Sequence, residues 1–211
     1  MSGKEKKIQD HVLESAKTHL MKTFGIKVQE SDEKKSCYFL INMLTENQED
    51  ESAQHIHWSD KENGQMAITF VILGLIFMSN GSKISEENLF KFLRHLGVHE
   101  EDRRGQRRAN DSSNDPLDPE LTDLFDGDIR KFINDVLVSR QHYLVRTRDD
   151  TGDPEVESYS YTWGERAKLE IKESDVLKMV CELYECEPRM FKEQYDRVVA
   201  NETEDVFDNE S

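Results

Sequence analysis

Residues 71–78 read Val-Ile-Leu-Gly-Leu-Ile-Phe-Met with no polar side chain among them, and Ile68 and Phe70 lengthen the block at its start. A chain that carries such a run has to bury it, and the length of the run decides in what. As a helix rising about 1.5 Å per residue, the eleven residues from Ile68 span roughly 16 Å, about half of the roughly 30 Å of a bilayer core. The run therefore predicts a buried helix over 66–78 and not a membrane anchor. Phe70, Ile72, Leu75, Ile76 and Phe77 cover all sides of it, so folded modules or a partner must enclose it. Each side chain that becomes fully buried contributes about 1.5–3 kcal/mol. These five are the candidate partner-binding residues.

The sequence before the run predicts a helix and a hairpin. Ile8, Val12, Leu13, Ala16, Leu20 and Phe24 recur at intervals of three and four and so share one helical face, which Gly25 closes. Residues 26–28 and 38–44 flank a charged turn and carry the β-branched and aromatic content of paired strands, followed by a loop over 45–54. After the run, Asn80 and Gly81 mark a turn. Ser85 then caps a helix whose first turn holds Glu86 and Glu87, where the macrodipole favours acid. Leu89, Phe92, Leu93 and Leu96 line that helix up to Gly97.

Residues 100–119 lack periodicity and read as a surface loop. Further helices are expected near Pro119 and near Asp128, the latter with Ile129, Phe132, Ile133, Val136 and Leu137 on one face. Segments 142–148 and 156–163 alternate on either side of the turn sequence DDTGDP, and Tyr159, Tyr161 and Trp163 share a face. Helix, helix, then a two-stranded ribbon is the order of a winged helix. Helices over 174–184 and 188–199 are expected to pack back on it.

Charge narrows the choice of partner. The formal net charge is -16 at pH 7, and a uniform field of that sign repels phosphate. Acid clusters in 46–51 and in a tail at Glu202, Glu204, Asp205, Asp208 and Glu210, segments that read as solvated. Contact with nucleic acid would therefore need a local basic cluster. One candidate is Arg103, Arg104, Arg107 and Arg108; if each neutralised a phosphate, log affinity would fall with log salt at a slope of roughly -3.6. Glu100, Glu101, Asp102 and Asp111 surround them, which also suits a plain solvated loop. The second candidate places Lys131 and Arg140 on a helix, with Arg146 and Arg148 on one face of the first wing strand and Arg166 as a weaker member. Winged helices commonly set a helix and a wing against duplex DNA. An ordinary solvent-facing strand would look the same.

Catalytic signatures are missing from the sequence: no Gly-x-Ser-x-Gly elbow, no phosphate-cradling glycine loop and no His-Glu-x-x-His occurs. His55 and His57 lack the further ligands of a zinc site and read as loop residues. Cys37, Cys181 and Cys186 are too few for a disulfide framework and fit a reducing compartment. The charged residues 1–10 do not resemble a secretory signal, so the sequons at Asn80, Asn110, Asn201 and Asn209 are read as chance. No cofactor, metal, membrane or small-molecule substrate is expected, and the chain is not expected to be an enzyme.

Three segments in order carry a family resemblance. ILGLIFMSNGSKISEENLFKFLRHLGV resembles the central signature of the MAGE homology domain, LFDGDIRKFINDVLVSRQHYLVRTR its next helix and first wing strand, and DPEVESYSYTWGERAKLE its second strand with a WGxRA motif. The resemblance runs from about Val12 to Val199. It implies an α+β, mostly helical fold of tandem winged-helix modules with short β-hairpin wings, drawn here as 1–80, 81–200 and a flexible acidic tail over 201–211. It also implies a non-catalytic, nuclear, chromatin-associated subunit of the SMC five-six DNA-repair and chromosome-maintenance complex. The partners implied are a RING-type ubiquitin ligase, a kleisin subunit and double-stranded DNA, with a partner helix docked between the modules. The alternative within the family is an adaptor, nuclear or cytoplasmic, that regulates a RING ligase without binding DNA. One departure is visible: the family's first module opens with a longer helical region bearing a Leu-Leu pair used against the RING partner, and this sequence has no adjacent leucines.

Overall fold

The structure, a computed structural model, describes residues 3–43, 59–98, 124–125, 128–150, 152 and 157–208. It divides into two compact units, Met1–His57 and Trp58–Ser211. The fold class is α+β and mostly helical, as expected.

In the first unit, α1 (Gly3–Phe24) ends where Gly25 turns to φ 64° and donates its N–H to the Met21 carbonyl at 3.1 Å. That is the left-handed closure foreseen for this glycine. An antiparallel hairpin follows, β1 (Ile26–Glu30) with β2 (Tyr38–Asn42), in the register Ile26 to Asn42 and Val28 to Leu40. The alternation along β2 sends Phe39 and Ile41 inward and leaves Leu40 exposed, and α1 packs on β1.

The second unit begins with α2 (Asp60–Met78), six residues earlier than the apolar run alone suggests. Its start is set by a capping box: the Glu62 N–H donates to Ser59 Oγ at 3.2 Å, and the Ser59 N–H donates to the Glu62 carboxylate at 2.9 Å. Ser-x-x-Glu is legible in the sequence, but it precedes a polar first turn and so escapes a search for hydrophobic periodicity. Gly81, at φ 65°, makes the turn after the helix. Then come β3 (Ile84–Ser85) and α3 (Glu86–His95), whose cap is Ser85 as expected. Its inward residues are Leu89, Phe90 and Leu93; Phe92 is half-buried and Leu96 exposed.

Helix α4 starts at Asp128, whose carboxylate accepts the Lys131 N–H at 2.9 Å. It is α-helical over Ile129–Lys131 and continues over Phe132–Arg140 with the wider i to i+5 pattern. The wing is β4 (Leu144–Arg148) and β5 (Tyr159–Trp163), and β3 adds to the free side of β5, giving the strand order β3-β5-β4. Two residues carry no period, so β3 could not be read from sequence. Helices α5 (Glu165–Glu170), α6 (Glu173–Leu183) and α7 (Lys192–Asp208) complete the unit. Helix α7 runs past residue 200, so backbone expected to be a flexible acidic tail is helical as far as Asp208. The helix expected near Pro119 lies outside the described residues.

The core of this unit gathers on α2. Ile72, Leu73 and Ile76 have no exposed surface and meet Leu89 and Leu93 of α3, Ile133 and Leu137 of α4, Tyr161 of β5 and Val176 of α6 in one cluster. Helix α2 packs against both α6 and β5. It therefore belongs to the second compact unit, which starts at Trp58, whereas the sequence reading ended its first module at 80. The physical reason is that an all-round apolar helix needs neighbours on every side, and the chain that follows it supplies them.

Candidate nucleic-acid and partner surfaces

The wing register fixes where the basic residues point. Arg146 stands opposite Tyr161 and Arg148 opposite Tyr159, on the same strand face as Leu144 opposite Trp163. Leu144, Tyr161 and Trp163 are core residues. The face that carries Arg146 and Arg148 is thus the inward one as far as Arg146 and reaches solvent at Arg148, so the solvent-facing strand expected from sequence holds for Arg148 and not for Arg146.

Arg146 is committed there. It donates to the Glu86 carboxylate through Nη2 at 2.8 Å and Nε at 3.3 Å, and its guanidinium lies 3.6 Å from the centroid of the Tyr159 ring. Glu86 also takes a salt bridge from Arg130, which stacks over the Phe90 ring at 4.1 Å. One carboxylate on the first turn of α3 therefore ties α4 and β4 to it. Burial pulls the Arg146 guanidinium down while its hydrogen bond to Glu86 pushes it up, and the net shift is upward. Beneath this buckle, Tyr161 donates its hydroxyl to Asn134 Oδ1 at 3.0 Å, and burial, followed by the nearby Glu86 charge, pushes its phenol up to about 12.

Two further cations are neutralised in place. Arg166 pairs with Glu170 at 2.8 Å and lies over the Tyr143 ring, while the Tyr143 hydroxyl donates to the same carboxylate at 2.5 Å. Burial, and then that bond, raises the Tyr143 phenol well above its ordinary value. Lys83 reaches Asp149 at the end of β4 at 2.6 Å, and Ser160 donates to the other oxygen at 2.5 Å. Lys83 first and Ser160 second hold the Asp149 carboxyl below the usual range. Lys131, Arg140 and Arg148 are exposed and form no ion pair with any described residue. They sit on α4 and β4, elements in contact with each other. Arg103, Arg104, Arg107 and Arg108 lie outside the described residues.

Of the two enclosures expected for the α2 residues, folded modules or a partner, the fold supplies burial for all five. Ile72, Ile76 and Phe77 are at most 1% exposed, and Phe70 and Leu75 are partly buried against the same core. The fold itself takes up this apolar surface. Exposed apolar side chains occur elsewhere in this unit: Leu183 and Tyr184 at the end of α6 and Met190 in the turn before α7 are each more than 70% exposed. A scan for apolar periodicity does not find them, because it cannot distinguish a helix end that is covered from one that is not. Among the described residues, no group of three His, Cys, Asp or Glu side chains is placed to hold a metal, and no helix is long and apolar enough to cross a membrane.

Comparison with known proteins decides the family. The model of the MAGE homology domain matches residues 1–174. The chain belongs to the MAGE homology domain family. Similar relatives include the non-structural maintenance of chromosomes element 3 homologs of Homo sapiens, 31% identical over 95% of this chain, and of Mus musculus, 30% identical over 95%. The chain spans 57% of the human protein and 62% of the mouse one. Homo sapiens trophinin is 30% identical over 90% of the chain, which spans 11% of it. A chain of a solved structure titled Nse1-Nse3-Nse4 complex superposes with a TM-score of 0.69 at 26% identity, covering 92% of this chain and 80% of that one.

The geometry gives this MAGE domain's signature residues physical reasons. Trp163 of the WGxRA motif donates Nε1–H to the Leu73 carbonyl of α2 at 2.8 Å and stacks at a tilt on Phe77. Gly164 donates to the Tyr143 carbonyl at 2.7 Å, so close that a Cβ on it would sit 2.2 Å from the His142 oxygen. Ala167 is fully buried. The sequence marks Glu86, from the SEE segment, as a helix-start acid; its role as a two-arginine clasp depends on residues 44 and 60 positions away.

Proposed function

We propose that this MAGE domain is a non-catalytic, nuclear subunit of the SMC five-six chromosome-maintenance complex. It would bind a kleisin subunit, a RING-type ubiquitin ligase and duplex DNA. The observation that carries the reading is the similarity across 92% of the chain to a chain of the Nse1-Nse3-Nse4 complex, together with the two element 3 homologs. Recovery of the tagged chain from nuclei tests it: co-purification of SMC, kleisin and RING subunits is expected, and their joint absence would overturn it.

The DNA-contacting surface is assigned to Lys131, Arg140 and Arg148, the candidate cations that no described carboxylate neutralises. Arg146 and Arg166 act inside the fold instead. Reversing the first three to glutamate should lower the slope of log affinity against log salt by about 2.7, at about 0.9 per phosphate contact. An unchanged slope would sink this surface.

The adaptor reading, in which a RING ligase is regulated without DNA, draws support from a specific observation. Two of the five cations in the helix-and-wing cluster are internally paired, in a chain of net charge -16. Absence of salt-dependent DNA binding together with co-purification of a RING ligase alone would favour it.

A further inference from the structure

Helix α6 ends in a turn that brings two cysteines together. Tyr184 donates its N–H to the Val180 carbonyl at 3.0 Å, Glu185 takes the left-handed conformation at φ 49°, and the Cys186 N–H returns to the Cys181 carbonyl at 3.0 Å. This is the six-to-one closure in which the residue after the left-handed position packs its side chain on the residue three from the helix end. That contact is ordinarily apolar; here both of its members are thiols.

The backbone bond sets how far apart they can be. A 3.0 Å link from the amide nitrogen of Cys186 to the carbonyl oxygen of Cys181, with standard covalent geometry on either side, keeps the two Cα atoms within about 7 Å. Disulfides are found at Cα separations up to about 6.8 Å. Cys181 is buried and Cys186 half-buried, so an oxidant reaches the second first. Burial pushes the Cys181 thiol up, and the neighbouring Cys186 thiol adds to the rise.

We infer that Cys181 and Cys186 form a reversible, peroxide-sensitive dithiol that closes to a disulfide across the α6 turn. Hydrogen peroxide oxidises Cys186 to the sulfenic acid and releases water. The Cys181 sulfur then attacks the Cys186 sulfur, the S–S bond forms, and the hydroxyl leaves as a second water. Two electrons pass from the thiol pair to one peroxide, and a dithiol reductant reverses the step. The bridge would pin Glu185, a non-glycine residue in a left-handed position, beside the exposed Leu183, Tyr184 and Met190. Oxidation would thereby fix the shape of the most exposed apolar surface described in this unit. The inference rests on the turn and is independent of the function proposed above.

The test treats the full chain with hydrogen peroxide, natively and in urea, then denatures, alkylates and digests it with trypsin. The expected result is that peptide Met179–Arg189 from the native chain loses the mass of two hydrogens and takes no alkyl group, while Cys37 remains alkylated. The bridge should form faster in the native chain than in urea, and Cys186→Ser should abolish it and leave Cys181 alkylated. Oxidation of Cys186 to the sulfinic acid with Cys181 still free, bridging to Cys37 or to a second chain, or equal rates in native and unfolded protein would each overturn the inference.

Discussion

Replacing Gly164 by alanine isolates one cause of stability, because its backbone, at φ -81° and ψ 171°, is a conformation that alanine adopts freely. Only space forbids the substitution. The added Cβ would stand 2.2 Å from the His142 carbonyl oxygen, 2.8 Å from its carbon and 2.9 Å from the Tyr143 carbonyl carbon, all backbone atoms at the start of β4. Carbon approaches a carbonyl oxygen to about 3.3–3.6 Å, so the two chain segments must part by roughly 1 Å. Such a retreat strains the bonds from Gly164 to Tyr143 at 2.7 Å and from Arg166 to His142 at 3.2 Å. Overpacking costs about 1–3 kcal/mol and each lost hydrogen bond about 1 kcal/mol, while the stiffer unfolded chain returns about 0.4–1 kcal/mol. The net is about 2–4 kcal/mol, a loss of roughly 10 °C in Tm for a unit of this size. Trp163 is buried in this unit, so its fluorescence in a Trp58→Phe background follows the relevant unfolding. Gly81→Ala is the matched control: it has φ 65° and nothing within 4 Å, so only the left-handed penalty of about 1 kcal/mol applies. A Gly164→Ala protein that melts no lower than the Gly81→Ala protein would refute the reasoning.

Glu86→Gln keeps the shape of the clasp but removes the charge between Arg130 and Arg146, and should cost about 1–3 kcal/mol in urea unfolding. Paired with Arg146→Met in a double-mutant cycle, it should show a coupling of about 1 kcal/mol, beyond the roughly 0.3–0.5 kcal/mol scatter of independent sites; strict additivity would dismiss the clasp. Asp149 predicts the acid limb of stability. Its folded carboxyl titrates lower than the unfolded one, so the stability it contributes is present above the ordinary aspartate range. That contribution is lost as pH falls through the depressed folded value, while Lys83 stays charged throughout. Urea midpoints against pH should fall less steeply for Asp149→Asn than for the native chain in that window; parallel curves would remove Asp149 from the account.

What the sequence determined by itself is what short-range physics encodes. The apolar run specified a buried helix because no other solution hides it, Gly25 and Ser85 set helix ends by local hydrogen bonding, and alternation around DDTGDP produced the wing. The ordered motifs were enough to reach the family. Tertiary structure decided whatever depends on residues far apart in the chain. Helix α2 joins the second unit because α6 and β5 supply its neighbours. Strand β3 exists only because β5 offers it a free edge. Arg146, which composition offers to a phosphate, is held by a carboxylate 60 residues away and by an aromatic ring across the strand pair. A charge pattern counts cations, and only the fold says which of them are already neutralised.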